Sequence, residues 1–308
     1  MTGTFPETDL GALDGDPTLF SALAWAALQE DIASGDATTL ATVPEDLTGS
    51  GRLVAREDGV ISGVDAVQAV LEAGASYPVL GGRVELQDPV HNGTHVTEGA
   101  VVGILSGPVR AILQLERTVL NVLSHASGVA THTAAWVEAV SPPSSSPPSP
   151  GAGTVVRDSR KTLPGLRLLQ KRAVVHGGGT PHRYNLSDQA MVKDNHVVAG
   201  GGVVAAYLAV RADNPALWCE VEVDDLDQLR AVLAVDVPPQ QVLLDNFAVP
   251  DTVAAVRTRD EIAPGVLLES SGGLTLDVAG EYAAAGVDSL AVGALTHSVT
   301  ALDIGLDL

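Results

Sequence analysis

The chain has 308 residues and a formal net charge of −21, from 17 Lys and Arg against 38 Asp and Glu. That balance excludes a nucleic-acid or anionic-membrane surface, while 45% hydrophobic and 18% charged residues exclude a disordered chain and supply a sizeable core. One Cys excludes an internal disulfide, no apolar run approaches the roughly 18 residues of a membrane span, and the acidic opening is unlike a signal peptide, so a cytoplasmic protein is expected.

Residues 1–16 read as a loose arm. Asp16-Pro17 then offers an N-cap followed by Pro at the first helical position, and Leu19, Phe20, Leu23, Ala26 and Ala27 recur at helical spacing. From Gly51 to Gly107 short β-type runs (Arg52–Arg56, Gly59–Ser62, Arg83–Gln87, Val101–Leu105) are cut by Gly-Gly, Asp88-Pro89 and Asn92-Gly93, which predicts a small antiparallel sheet with one helix near Val64–Ala73. Val109–Leu123 reads as a long helix, with Gly128 a candidate break before it resumes through Trp136 to Val140. The Pro/Ser tract Ser141–Pro150 reads as a surface loop or linker.

Beyond the tract, six short apolar runs each end in a charged or small residue and lead into a helical segment. They are Thr154–Val156, Ala190–Val192, Leu217–Val223, Gln241–Leu244, Gly265–Leu268 and Ser289–Val292. Such repetition predicts a parallel α/β barrel, whose chemistry sits at the carboxyl ends of the strands.

Three sets of residues converge on that end. The first is basic: the only lysines are Lys161, Lys171 and Lys193, and with five arginines they give residues 157–193 a charge of +6 inside an acidic chain. Arg157, Arg160, Lys161, His182, Arg183 and Lys193 fall at strand ends or loops, where Arg forks suit planar carboxylates and Lys supplies a compact charge. Arg167, Lys171 and Arg172 fall in a predicted helix and read as its solvated face. The second set is acidic, Glu222, Asp245 and Glu269, able to bind Mg²⁺, hold sugar hydroxyls or oppose a developing positive charge. Asp224, Asp225 and Asp227 read as helix-start acids.

The third set is small: Ser270-Ser271-Gly272-Gly273 and Gly293-Ala294-Leu295-Thr296-His297 follow the last two runs, where barrels commonly bind phosphate. Gly177-Gly178-Gly179-Thr180 suits a flexible connection as well as a phosphate cradle. His91 and His95 read as loop histidines, and Cys219 as a buried structural thiol.

Taken together, these strings resemble one family. Glu116-Arg117-Thr118 through Asn121, His125 and Ser127–Thr131, then Arg157–Gly165, His182-Arg183, Lys193–His196, Glu220–Val223, Leu244–Asn246, Glu269–Gly273 and Val292–His297 look like quinolinate phosphoribosyltransferase, the carboxylating nicotinate-nucleotide pyrophosphorylase family. Glu30-Asp31, Gly35-Asp36 and Thr38-Thr39 also fit its pattern, in a structural role between domains. The resemblance covers about residues 17–308; the Ser141–Pro150 tract departs from it as an insertion.

It implies a type II phosphoribosyltransferase-like α/β barrel with an N-terminal α+β open sandwich domain, divided as an arm 1–16, a sandwich 17–125 and a barrel 126–308 whose C-terminal end packs back on the sandwich. The implied activity is transfer of phosphoribose from phosphoribosyl pyrophosphate to quinolinate with loss of CO₂, giving nicotinate mononucleotide and pyrophosphate in NAD synthesis. By the same resemblance, Arg160, His182, Arg183 and Lys193 hold the quinolinate carboxylates, and Arg117 reaches the partner's site in a homodimer, with a hexamer assembled from dimers a further alternative. Lys161 contacts phosphoribosyl pyrophosphate, Glu222 and Asp245 face the ribose and Mg²⁺, and Ser271, Gly272, Gly293 and His297 cradle the 5-phosphate. Rival readings are a molybdenum-transport-associated paralogue acting on another ring acid and a non-catalytic barrel binding phosphate ligands.

Overall fold

A computed structural model describes Phe5 and residues 16–141 and 153–308. The expected arm, apart from Phe5 and Asp16, and the Pro/Ser tract beyond Ser141 lie outside the described residues. The chain divides into two compact units: one of residues 9–134, 162–178 and 294–308, the other of residues 1–8, 135–161 and 179–293.

The first unit begins with the predicted cap: the Asp16 carboxylate accepts from Thr18 N at 3.0 Å and opens a 3₁₀ turn, Pro17–Phe20, that leads into α1 (Ser21–Asp31). Asp36 caps α2 (Ala37–Thr42) in the same way, accepting from Thr38 N at 2.9 Å. The sheet is built on β1 (Thr48–Ala55), which pairs antiparallel with β5 (Val101–Pro108), and β5 pairs with β3 (Glu85–Gln87). The outer neighbour of β1 is the C-terminal strand β12 (Ile304–Asp307), which lies antiparallel with Arg52 opposite Asp307. A two-residue pair, β2 (Gly59–Val60) with β4 (His95–Val96), stands apart, so His95 belongs to a strand while His91 stays in the turn. Helix α3 spans Val64–Ala75.

The long segment after β5 is one uninterrupted helix, α4 (Val109–Val140), so Gly128 does not break it. Gly128 permits close packing instead: a Cβ there would fall 2.1 Å from the Thr300 carbonyl oxygen. A second correction concerns α5 (Arg167–His176), whose basic residues were expected in solvent. Residues 169–174 are buried, Lys171 completely, and Arg172 is 2% exposed; its Nη2 pairs with Asp65 at 2.6 Å and its guanidinium lies over Phe20. Apolar neighbours in sequence cannot reveal such a charge partner 107 residues away. Arg167 is half-buried and donates from Nε to the Thr162 hydroxyl at 2.9 Å.

The second unit holds the six predicted runs as six parallel strands. They are β6 (Val155–Arg157), β7 (Ala190–Val192), β8 (Cys219–Val223), β9 (Gln241–Asp245), β10 (Leu267–Ser271) and β11 (Ser289–Ala291). Their order is β6-β11-β10-β9-β8-β7, with an isolated parallel bridge from Arg157 to Thr180 on the outer edge of β6. Helices α6 (Asp194–Gly200), α7 (Val203–Asp213), α8 (Leu226–Leu233), α9 (Val249–Ile262) and α10 (Ala279–Ala285) follow β7 to β10 in turn. Asp225 caps α8, its carboxylate accepting from Gln228 N at 2.8 Å, in the helix-start role expected for it. The α/β class read from the sequence is therefore the one adopted: a six-stranded parallel sheet with helices, and a separate antiparallel sheet.

Candidate active site

Strand periodicity decides which side chains share the chemistry. Side chains alternate faces along a strand, and parallel partners in register point the same way. Met191 stands opposite Glu220, Glu220 opposite Gln241, Glu222 opposite Leu243, Asp245 opposite Ser271, Glu269 opposite Ser289 and Arg157 opposite Ala291. One face of the sheet thus carries buried charged residues interleaved with Met191, Leu243, Ser271 and Ala291, which open into a cavity.

That cavity, about 300 Å³, is lined by Arg160, Lys161, His182, Arg183, Lys193 and Gly293, together with Ser159, Met191, Leu243, Ser271 and Ala291. The sequence-predicted cations therefore meet around one concave space with an apolar floor. Burial and the Arg160 charge both lower the Arg183 guanidinium from its ordinary value, as expected where two cations crowd together. Such crowding favours a polyanionic ligand.

The acidic residues stand at the edge of this space. Glu222 is nearly buried and accepts from Lys193 Nζ at 2.8 Å and from Asp194 N at 3.3 Å. Asp245 ends β9 half-buried, and burial, then the Glu222 charge, raises its carboxyl above the ordinary range. Gly272 follows Ser271 with a φ of +89°, and a Cβ there would sit 2.2 Å from Asn246 Oδ1. Glycine is required where the loops after β9 and β10 approach each other. Of the remaining predicted residues, Arg117 stands exposed on α4 and His297 exposed on α11 (Ala294–His297), both in the sandwich-containing unit rather than the one that bears the cavity.

Beneath the cavity lies a buried ionic layer. Arg157, expected at the mouth, is instead completely buried, bonded from Nη1 to Glu269 at 3.2 Å and to Gln241 at 3.2 Å, with Phe5 over its guanidinium at 4.6 Å. Glu269 also accepts from the Ser289 hydroxyl at 2.6 Å and lies 3.3 Å from His182 Nε2. His182 Nε2 is 2.8 Å from Glu220, a residue that sequence reasoning quoted only as part of a string. The signal was available: Glu220 and Glu222 lie two apart on one strand and so share its inner face. Asp158, missed as well, accepts from His182 N at 2.7 Å and fixes the loop that carries the ring.

The protonation of this layer follows from its neighbours. Burial opposes ionisation of Glu269, but Arg157 and His182 overcome it and hold the carboxyl far below its usual range. Glu220 is driven up, first by burial and then by Glu269. Burial would depress His182, yet the facing Glu220 and Glu269 carboxylates outweigh it and push the ring up to about 9. Both directions describe one coupled pair that keeps a proton above neutral pH. Arg183 N donates to His182 Nδ1 at 2.7 Å, so the ring hydrogen sits on Nε2. Cys219 is buried and burial pushes its thiol up to about 11, in keeping with a structural role.

Comparison with known proteins agrees with this architecture over nearly the whole chain. Residues 36–127 match the N-terminal domain and residues 129–307 the C-terminal domain of quinolinate phosphoribosyl transferase. The chain is 52% identical over 283 residues to the nicotinate-nucleotide pyrophosphorylase [carboxylating] of Mycobacterium leprae, covering 92% of this chain and 94% of that protein. It is 33% identical to the chloroplastic protein of that name from Arabidopsis thaliana, covering 92% of this chain and 80% of the other. The crystal structure of NadC from Streptococcus pyogenes superposes with a TM-score of 0.84 at 34% identity, covering 96% of this chain and 98% of that one. The Francisella tularensis nicotinate-nucleotide pyrophosphorylase gives a TM-score of 0.82 at 33% identity over 94% and 96% of the two chains. With matched domains in order and a relative more than half identical over nine-tenths of its length, the chain belongs to the quinolinate phosphoribosyltransferase family.

Proposed function

We propose that the chain transfers phosphoribose from phosphoribosyl pyrophosphate to quinolinate with decarboxylation, releasing nicotinate mononucleotide, pyrophosphate and CO₂ in de novo NAD synthesis. The observation that carries the reading is the single cavity in which Arg160, Lys161, Arg183 and Lys193 face an apolar floor inside a chain of −21. A planar dicarboxylate needs cations around its rim and an apolar surface for its ring, and a pyrophosphate ester needs the remaining charge. In this proposal Arg160, Arg183 and Lys193 hold the quinolinate carboxylates, with His182 beside them. Lys161 meets the pyrophosphate side, while Ser271, Gly272 and Gly293 surround the 5-phosphate.

The chemistry follows from charge. As pyrophosphate leaves, the ribose carbon gains positive character, which Glu222 and Asp245 oppose from the strand ends. The pyridine nitrogen bonds to that carbon, and the resulting cationic ring stabilises the carbanion left when the adjacent carboxylate departs as CO₂. The two carboxylates, with Asp245 raised by its neighbour, form an oxygen donor set with surplus negative charge, which fits a hard divalent cation such as Mg²⁺. Glu222 and Asp245 would hold it, and when bound it supplies compensation for the pyrophosphate charge. A homodimer in which Arg117 completes the partner's site, and a cytoplasmic location, complete the proposal. Among the described residues no helix is long and apolar enough to cross a membrane.

The test is incubation with Mg²⁺, phosphoribosyl pyrophosphate and quinolinate, following nicotinate mononucleotide and CO₂. The expected result is equal release of both products, absent without Mg²⁺ and reduced at least about a hundredfold in Lys161→Ala, the scale on which lost electrostatic stabilisation acts. Turnover of nicotinate but not quinolinate would replace the reading with the paralogue, and binding without product would replace it with the non-catalytic module.

A further inference from the structure

Resting on that function, a sharper assignment comes from the layer under the cavity. We propose that Glu220 and Glu269 are positioning residues that hold His182 by its Nε2, so that the ring meets quinolinate with carbon rather than with an N–H and leaves both carboxylates to Arg160, Arg183 and Lys193.

Four observations carry it. His182 borders the cavity, yet only 4% of it is exposed. Its Nε2 lies 2.8 Å from Glu220 Oε2 and 3.3 Å from Glu269 Oε1, both on the cavity-bearing sheet and both fully buried. Its Nδ1 accepts from Arg183 N at 2.7 Å. With both nitrogens engaged, the ring has only its carbon edge and its faces left for a ligand. Glu269 is itself fixed: it is tied to Arg157 and Ser289, and Arg157 in turn to Gln241. An imidazole that donated to a substrate carboxylate would have to surrender a buried carboxylate, which costs more than one solvent-facing hydrogen bond returns. The Nδ1 bond has a further use, because it ties the ring to the backbone that launches the Arg183 side chain. Displacing the ring therefore misaims a guanidinium required by one substrate and not by the other.

Two measurements test the assignment. In the isosteric variants Glu220→Gln and Glu269→Gln, KM for quinolinate should rise about tenfold, the scale of a modest misplacement of an orienting group, while KM for phosphoribosyl pyrophosphate stays near that of the parent; the unfolding midpoint should be kept in Glu220→Gln and fall in Glu269→Gln, which also strips Arg157 of its buried partner. Equal changes for both substrates, or none, would overturn it. The second measurement uses the unaltered protein, so it does not depend on either variant folding. The ¹⁵N signals of the His182 ring are followed as benzene-1,2-dicarboxylate, an unreactive mimic of quinolinate, is added. Nε2 should stay hydrogen-bearing and Nδ1 hydrogen-free through saturation; a change in that pattern means that the ring donates to the ligand, and the inference fails. Absence of nicotinate mononucleotide from the unaltered protein would instead remove the proposed function, an outcome separate from either of these.

Discussion

Arg157 shows how far a residue's role depends on what surrounds it. Read along the chain it is one of eight lysines and arginines in residues 157–193 and stands at the predicted mouth; in the fold it is sealed among Glu269, Gln241 and Phe5. Removing one member of a buried ion pair leaves the other uncompensated, a loss of about 3–5 kcal/mol. Arg157→Met should therefore lower unfolding free energy in denaturant by that amount, whereas Arg160→Met, at the cavity, should cost far less stability and mainly weaken quinolinate binding. An Arg157→Met variant as stable as the parent would show the layer to be dispensable.

His125 offers a residue-scale test in pH. Burial holds its ring below the ordinary value, and Gln170 Nε2 lies 2.9 Å from His125 Nε2, which therefore accepts and must be unprotonated. A histidine depressed in the folded state binds its proton first in the unfolded one, so this contribution is present above about pH 6.5, the ordinary value, and is lost as pH falls below it. Stability should decline on acidification through that window, and less so in His125→Asn. An unchanged slope in the variant would assign the decline to another group, with His132, also depressed by burial, the next to replace.

At the scale of elements, α4 is the informative case. Its apolar periodicity predicts a helix, and the lone glycine in it invites a break, because glycine lowers helix propensity by about 1 kcal/mol. The helix runs through Gly128 unbroken since the Thr300 and Ala301 backbone leaves no room for a side chain. Gly128→Ala should then reverse the ordinary propensity gain and destabilise by about 1–3 kcal/mol through overpacking, measured by chemical denaturation with far-UV circular dichroism. A stabilised variant would show that the glycine is only tolerated. Helix α5 teaches the complementary lesson: its charged residues were legible as charges, but Lys171 and Arg172 are interior, and Arg172 pairs there with Asp65, far away in sequence.

For the whole molecule, the +6 segment within a chain of −21 concentrates positive potential where polyanions are proposed to bind. Replacing Asp or Glu on the outer helices by neutral residues should then alter solubility and leave turnover within about twofold, since exposed charges beyond a Debye length of about 10 Å are screened. The proposed shared site gives a stronger test. Arg117→Ala and Arg160→Ala proteins, each inactive alone, should regain up to about a quarter of parental activity when their subunits exchange, by the statistics of a dimer with one intact site in half of its members. No recovery despite proven exchange would remove Arg117 from the partner's site.

The sequence by itself determined the parallel strands, the caps at Asp16 and Asp225, and the cations that line the cavity, because apolar periodicity, turn chemistry and charge are local properties of a chain. Only the tertiary structure decided which of those charges face a ligand and which face one another. Arg157 and Arg160 are three residues apart, yet one is buried against Glu269 and the other borders the cavity. His182 likewise became a ring with both nitrogens occupied once β8 and β10 brought Glu220 and Glu269 beneath it. Burial and ion pairing depend on through-space neighbours supplied by strand register, and register is fixed only when the whole sheet forms.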